Sequence, residues 1–277
     1  MQVLDFIKPE MGTLEYEVIN FPDGQKHLRI KSEINRKDSD VKIRCRIRDA
    51  EELLLLVQAL DVLNRHGLKP HVLIYYLMGA RMDRIMSFNE PFMLKIVTDM
   101  LKKFDAIFFV EEVHNPSVIN RIGGWINRAF NIITDVDKYT LCFPDLGAVR
   151  RYSFFLKTPP GGYYKEIITF RKKRDVETGK LPSFEIEPDC EKVEIEGKDV
   201  IVLDDLIDGG GTFCGIAPLI RDKKPGSLIL RVCHAIQLEG IKRVAAVYDK
   251  VIISNSYFDW ETMELPDNVE VKDVIYK

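Results

Sequence analysis

The stretch from Val200 to Thr212, VIVLDDLIDGGGT, constrains the fold of this chain more than any other. Val200, Ile201, Val202 and Leu203 form an unbroken run of β-formers, the pattern of a strand buried on both faces of a parallel sheet. Asp204 and Asp205 follow at its carboxyl end, then Asp208 and the glycines Gly209, Gly210 and Gly211. Glycine reaches positive φ without steric cost, which turns backbone N–H groups toward an anion. Thr212 adds a hydroxyl and helix-formers follow, so the loop is predicted at a helix N-terminus, where orphan N–H groups and the macrodipole favour phosphate. Paired carboxylates at that point can accept hydrogen bonds from vicinal ribose hydroxyls or hold Mg²⁺ through water. The combination suits a sugar phosphate. No Gly-Lys-Ser/Thr closes the glycine run, which excludes a P-loop. The competing reading is a turn that binds nothing, and paired acids beside three glycines are costly to fold unless a ligand uses them.

With 277 residues, 46% of them hydrophobic, the chain can bury one large core or two smaller ones, and two are expected. Apolar runs alternate with amphipathic segments, which predicts an α/β class with mainly parallel sheets flanked by helices. In the first half, helices are predicted over 51–65 and 91–103, the second with Pro91 in its first turn, and strands over 71–76 and 106–110. The second half reads as strands over 139–143, 166–170, 200–203, 228–232 and 250–254, with a helix over 147–155 and another after the glycines. The boundary falls around 130 to 138, giving domains of 1–135 and 136–277.

No apolar run reaches the ~18 to 20 residues of a membrane span. The start Met1-Gln2-Val3-Leu4-Asp5 lacks a signal peptide's basic and apolar regions, so a soluble, cytoplasmic protein is expected. Cys45, Cys142, Cys190, Cys214 and Cys233 are an odd set without C-x-x-C spacing, which argues for buried thiols rather than disulfides or zinc. A net charge of -3 gives no general pull toward nucleic acid or anionic membrane.

The Asp204–Thr212 string resembles the phosphoribosyl-diphosphate signature of the type I phosphoribosyltransferase fold. Gly79-Ala80-Arg81-Met82-Asp83-Arg84 with Asn89-Glu90-Pro91 is similar to the ATP-binding stretch of the ribose-phosphate diphosphokinases, and further matches follow in family order. Phe21-Pro22-Asp23-Gly24 resembles that family's adenine-contacting loop, Val113-His114 its metal-ligand histidine, Pro144-Asp145-Leu146-Gly147 its second metal site, and Lys172-Lys173-Arg174-Asp175 its mobile catalytic loop. The resemblance implies two tandem domains of one fold with the active site between them. It also implies transfer of the β,γ-diphosphate of MgATP to the anomeric hydroxyl of a ribose phosphate, with AMP released.

Under that resemblance Arg81 and Arg84 hold triphosphate oxygens, their bland alternative being ion pairs with Asp83 or Glu90. Phe21, Asp23, Gln25, Met82, Asp83 and His114 complete the ATP set. His114 and Asp145 are the metal candidates, Asp145 doubling as a helix N-cap. Lys172 and Arg174 match the family's Lys-x-Arg spacing and are the catalytic pair, on a flap that otherwise reads as a solvated hairpin tip. The ribose-phosphate set is Asp204, Asp205, Asp208, Gly209, Gly210, Gly211 and Thr212. In the family the Phe21 loop serves a neighbouring subunit's site, so a homo-oligomer is implied.

The departures carry information. Gly209 stands where the family usually has Thr, Met82 for an ATP-contacting Gln, Gln25 for an acid beside adenine, and Glu112 for the usual Asp. Residues 40–52 are compressed relative to a family loop involved in regulation and assembly, which weakens the case for allosteric control and for the usual hexamer. Losing the Thr hydroxyl removes a phosphate donor and opens space, so the acceptor is ribose 5-phosphate or a longer one such as ADP-ribose, the latter pointing to NAD metabolism. Two other classes remain: a silent regulatory relative, and a phosphoribosyltransferase that consumes the diphosphate. Detectable AMP formation discriminates the first, and dependence on a nucleobase rather than ATP the second.

Overall fold

A computed structural model describes residues 1–117, 119, 125–128, 138–156, 167–173 and 183–276. The chain folds as two units, Met1–Phe130 and Asn131–Lys277.

In the first unit, β1 (Gln2–Asp5), β4 (Val41–Ile47), β5 (His71–Leu77), β6 (Ile107–Glu111) and β7 (Ile126–Arg128) form a sheet in the order β1-β4-β5-β6-β7. Every pairing in it is parallel. A separate antiparallel hairpin joins β2 (Tyr16–Asn20) to β3 (Lys26–Ile30). Helix α1 (Ala50–Arg65) starts at Asp49, whose side chain accepts from the Glu52 N–H at 2.9 Å and satisfies an orphan donor. Its Leu53, Leu56, Ala59, Leu60 and Leu63 repeat at helical spacing and are buried. Gln58 fastens the hairpin to this helix: its carbonyl accepts from Leu28 N–H at 2.8 Å and its amide donates to Lys26 O at 3.1 Å.

Helix α2 runs Met93–Leu101, not from Pro91 to Lys103. Its start is set by tertiary bonding rather than by the proline. Leu94 N–H donates to Met82 O at 3.2 Å, so the first turn closes against the loop that leaves β5. Gly79 takes φ 78°, which disfavours any other residue, and a Cβ there would come within 3.2 Å of Leu94 N.

The second unit has a sheet of β8 (Thr140–Phe143), β9 (Ile167–Lys173), β10 (Ser183–Ile186), β11 (Asp199–Ile207), β12 (Ser227–Ala235), β13 (Lys250–Ser254) and β14 (Val269–Lys272). Its order is β10-β9-β8-β11-β12-β13-β14, and only the β9–β10 pair is antiparallel. As the apolar run predicts, β11 is buried on both faces. Val200 and Val202 join one core with Phe213, Ile216 and Ile220 of α4 (Gly211–Arg221). Ile201 and Leu203 join another with Ala148 and Tyr152 of α3 (Leu146–Leu156). A last helix, α5, spans Leu238–Ala245.

Two expectations are corrected here. The signature strand does not stop at Leu203 but continues to Ile207, so Asp204 and Asp205 lie within it. Arg171, Lys172 and Lys173 belong to β9, paired with Glu185, Phe184 and Ser183 of β10, rather than to a loop beyond an apolar strand. Cross-strand pairing overrides the low β-propensity of the cations. Cys45, Cys142 and Cys233 are buried as expected, whereas Cys190 and Cys214 are only half-buried, and all are unbridged. Burial pushes the Cys45 and Cys142 thiols up, so they stay protonated. No helix among the described residues is long and apolar enough to cross a membrane.

Candidate active site

In the second unit the carboxylate pair and the glycine cradle lie in one continuous stretch. Along β11 alternate side chains face opposite ways, so Asp205 follows Ile201 and Leu203 toward the α3 face. There Arg151 of α3 meets it: one guanidinium nitrogen lies 2.6 Å from Asp205 Oδ1 and also contacts Asp204 Oδ1. Asp205 N–H donates to the same Asp204 oxygen at 2.9 Å. Burial opposes the Arg151 charge, but the Asp205 and Asp204 charges outweigh it and raise its pKa further. Asp204 is shifted the other way from an ordinary ion-paired acid. Burial and the Asp205 charge lift its pKa well above the usual 3.8, and Arg151 only partly offsets them.

Arg151 escaped the sequence reading. The available signal was helical: Arg151 follows buried Ala148 by three residues and adjoins buried Tyr152, so of the tandem Arg150-Arg151 it is the one on the core face. The Asp204 shift has a testable consequence. A raised folded pKa means the folded state holds the proton more tightly than the unfolded one, so this group's stabilisation is complete below 3.8 and is lost as pH rises through its folded value. Asp204→Asn is therefore expected to raise Tm at pH 8, with a gain that shrinks toward pH 4. Thermal unfolding followed by circular dichroism across that range measures it, and an unchanged Tm at pH 8 rejects the assignment.

All three glycines of the cradle are able to adopt positive φ. Only Gly210 does, at 77°, where it forms the N-cap of α4. The start of α5 braces it from behind. A Cβ on Gly240 would stand 1.8 Å from Asp208 O, so glycine is required for this approach. Gln237 donates from Nε2 to Asp208 Oδ1 at 2.8 Å, and Arg243 reaches Gly209 O at 3.4 Å. Gln237 and Arg243 were not foreseen, because bracing from a later helix leaves no local pattern. Thr212 sits half-buried in the first turn of α4.

Asp145 caps α3, its Oδ1 accepting from Ala148 N–H at 2.9 Å. A Cβ at Gly147 would lie 2.9 Å from that oxygen, so the glycine makes room for the cap. Lys172 is exposed on β9 with its ammonium 5.8 Å from the centre of the Phe184 ring. Arg174 and residues 175–180 lie outside the described residues.

In the first unit Asp83, Arg84 and His114 come together. Asp83 is 3% exposed. It accepts from Arg84 Nε at 2.7 Å on Oδ1 and from Arg84 Nη2 at 2.9 Å on Oδ2. Asn115 Nδ2 donates to the same Oδ2 at 2.6 Å. Burial raises the Asp83 pKa, but the bonds from Arg84 and Asn115 and the charges of Arg84 and His114 together hold it below the ordinary value. His114 and Asn115 follow a backbone turn in which the buried Glu112 takes φ 33°, a left-handed conformation unusual for a side-chain-bearing residue. Arg81 and Met82 are exposed on the same turn as Asp83, Met82 by 50%. Phe21, Asp23 and Gln25 occupy the tip of the β2–β3 hairpin. There Phe21 N–H donates to Gln25 O at 2.8 Å, Gln25 N–H donates to Asp23 Oδ1 at 3.1 Å, and the Phe21 ring tilts against His27.

Among the described residues no three His, Cys, Asp or Glu side chains gather as a metal site. Mg²⁺ does not need one, since it often uses a single carboxylate together with substrate phosphates and water. Asp145, exposed and with one oxygen used for the cap, fits that sparse requirement.

No protein-family model matches the chain. The architecture matches the crystal structure of phosphoribosylpyrophosphate synthetase from Mycobacterium smegmatis with a TM-score of 0.73, over 96% of this chain and 88% of that one, at 19% identity. The fold is thus that of two tandem type I phosphoribosyltransferase domains. In sequence the chain is 26% identical over 263 residues to a ribose-phosphate pyrophosphokinase of Pyrococcus furiosus, spanning 90% of this chain and 88% of the relative. It is 28% identical over 249 residues to the enzyme of that name from Sulfolobus acidocaldarius, spanning 86% and 80%. Over most of its length the chain is thus similar, at 24 to 28% identity, to enzymes named ribose-phosphate pyrophosphokinase.

Proposed function

We propose that this protein transfers the β,γ-diphosphate of MgATP to the anomeric hydroxyl of ribose 5-phosphate, forming phosphoribosyl diphosphate and AMP. The observation that supports it most is the likeness to ribose-phosphate pyrophosphokinases over 88 to 90% of this chain. The carboxylate pair and the helix N-terminus downstream of it supply a place for the sugar phosphate. The anomeric oxygen attacks the β-phosphorus, the bond from that phosphorus to the α,β-bridging oxygen breaks, AMP leaves with the electron pair, and the hydroxyl proton goes to solvent. Protein contributions to such a displacement are positioning and charge neutralisation.

Within that scheme the 5-phosphate sits on the amides at the start of α4, and Asp204 and Asp205 take the vicinal hydroxyls. Arg151 keeps the carboxylate pair from repelling itself apart. Arg81 and Arg84 bind the triphosphate, Phe21 offers a face to the adenine, and Lys172 neutralises the group in flight. His114 in the first unit and Asp145 in the second are the side chains that would each hold a Mg²⁺, and the ion would supply Lewis-acid neutralisation of phosphate oxygens. Purified protein given MgATP and ribose 5-phosphate is expected to release AMP and a product of matching mass by mass spectrometry. Absence of AMP with every ribose phosphate overturns the reading.

A second acceptor reading has a specific observation behind it. A Cβ added at Gly209 meets nothing within 4 Å, and the backbone there is not in the positive-φ region. Neither sterics nor conformation requires glycine at this position, so the missing side chain leaves open space at the phosphate loop. That space favours an acceptor whose 5-phosphate is esterified, ADP-ribose being one. Gly209→Thr is expected to fold with unchanged Tm and to shift the ratio of kcat/KM values toward ribose 5-phosphate by about tenfold or more, the scale on which small steric changes discriminate. An unaltered ratio would falsify the steric argument while leaving the diphosphotransfer chemistry intact.

A further inference from the structure

We propose that Asp83 is a positioning residue that acts through Arg84 and ties the Arg84 turn to the loop carrying His114, and that it does not itself touch the nucleotide. The inference rests on the reading that this unit binds ATP. A carboxylate in the first rank of a polyphosphate site would repel its ligand, so an acid at this position needs another task. The geometry supplies it. Both Asp83 oxygens are engaged by protein donors, Oδ1 by Arg84 Nε and Oδ2 by Arg84 Nη2 and Asn115 Nδ2. The carboxylate is buried, whereas the Arg84 side chain is 61% exposed.

A guanidinium has donors on more than one edge. The Nε–Nη2 edge is clamped inward on Asp83 in the two-point geometry that fixes the plane of the fork. The remaining Nη1 donors are thereby left to face an anion in a set orientation. Because adjacent residues rarely bond side chain to side chain in a regular strand, the turn that begins at Gly79 is what allows Arg84 to fold back on Asp83. Asn115 then makes the same carboxylate a joint between two loops, one after β5 and one after β6. The shared carboxylate thus ties Arg84 to the residue that follows His114.

The test is equilibrium binding of MgATP without acceptor, by titration calorimetry, to the wild-type chain and to Asp83→Asn, Asn115→Ala, Arg84→Ala and the Asp83→Asn/Arg84→Ala double variant. Steady-state kinetics of AMP release and Tm accompany it. Asp83→Asn is expected to weaken MgATP binding by about tenfold, with the acceptor KM within about twofold and the protein still folded at the assay temperature. The double variant is expected to bind no more weakly than Arg84→Ala, the non-additivity of residues acting in one chain of contacts. Asn115→Ala, which spares the Arg84 clamp, is expected to weaken binding a few-fold, and it carries the test if Asp83→Asn does not fold. Wild-type-like binding by Asp83→Asn, multiplicative effects in the double variant, or equal losses toward both substrates overturn the inference and leave the proposed function standing. Failure of the wild-type chain to bind MgATP overturns the proposed function and the inference with it.

Discussion

Replacing Arg151 with methionine is expected to destabilise the second unit by about 3 to 5 kcal/mol, the usual result of removing one partner from a buried ion pair. Arg151 is the cation that both Asp204 and Asp205 contact, and its side chain is 7% exposed. Methionine fills similar volume, so little of the effect is cavity formation. It is the electrostatics that fail: the cation between two adjacent carboxylates of β11 is gone, and their mutual repulsion favours uptake of a proton. The variant should therefore lose most of its stability deficit as pH falls, since Asp204 already has a raised pKa with the arginine in place. Adding Asp204→Asn to Arg151→Met should recover much of the loss at neutral pH by removing one of the opposed charges. Urea unfolding of the four proteins of that cycle measures the coupling. If Arg151→Met unfolds at the wild-type urea midpoint, the clamp has no energetic role.

Lys172→Ala is expected to lower kcat for AMP release by about 10² to 10³-fold, the scale found when one preorganised charge donor is removed from a developing negative charge. Substrate KM values should move only a few-fold, because the interaction is made mainly in the transition state. Stability should be unaffected: the side chain is exposed at the end of β9, and its contact with Phe184 is a loose one at 5.8 Å. Lys172→Arg keeps the charge on a broader head and should recover part of the rate. Arg171 serves as a control. Its guanidinium is bound to Glu185 across the strand pair at 2.9 Å, so Arg171→Ala should leave turnover within about twofold. Equal rates for Lys172→Ala and Arg171→Ala would remove Lys172 from the chemistry.

Much of the architecture was legible because its signals are local. The run Val200 to Leu203 is apolar at every position, which an amphipathic strand would not be, and the structure buries both of its faces. The leucines of α1 recur at helical spacing and are buried accordingly. The strand over 250–254 matches β13 end to end. Boundaries set by long-range bonding were not legible. Helix α2 begins at Met93 because Leu94 N–H finds Met82 O, and β9 extends through three cations because β10 lies alongside to pair with them. The β2–β3 hairpin that presents Phe21 and Asp23 was also missed as structure, though the residues at its tip had been singled out.

At the candidate site the residue types were readable and their partners were not. An Asp-Asp-x-x-Asp-Gly-Gly-Gly string after a strand states a chemistry by itself: acceptors for hydroxyls, a bend, and amides at a helix start. Arg151 lies 53 residues from Asp204, and nothing in either segment names the other. Asn115 lies 32 residues from Asp83, and that bond depends on β5 and β6 being neighbours in the sheet.

The sequence by itself thus determined the α/β class, the buried strands and the residue types that the glycine loop presents, since these follow from short-range periodicity, glycine conformational freedom and the valence of side chains. Only the tertiary structure decided which charge meets which. It put Arg151 on the carboxylate pair, gave Asp83 to Arg84 and Asn115, and left the space beside Gly209 open. Ion pairing and free volume depend on distances between segments remote in the chain, and those distances are fixed only when the sheets close.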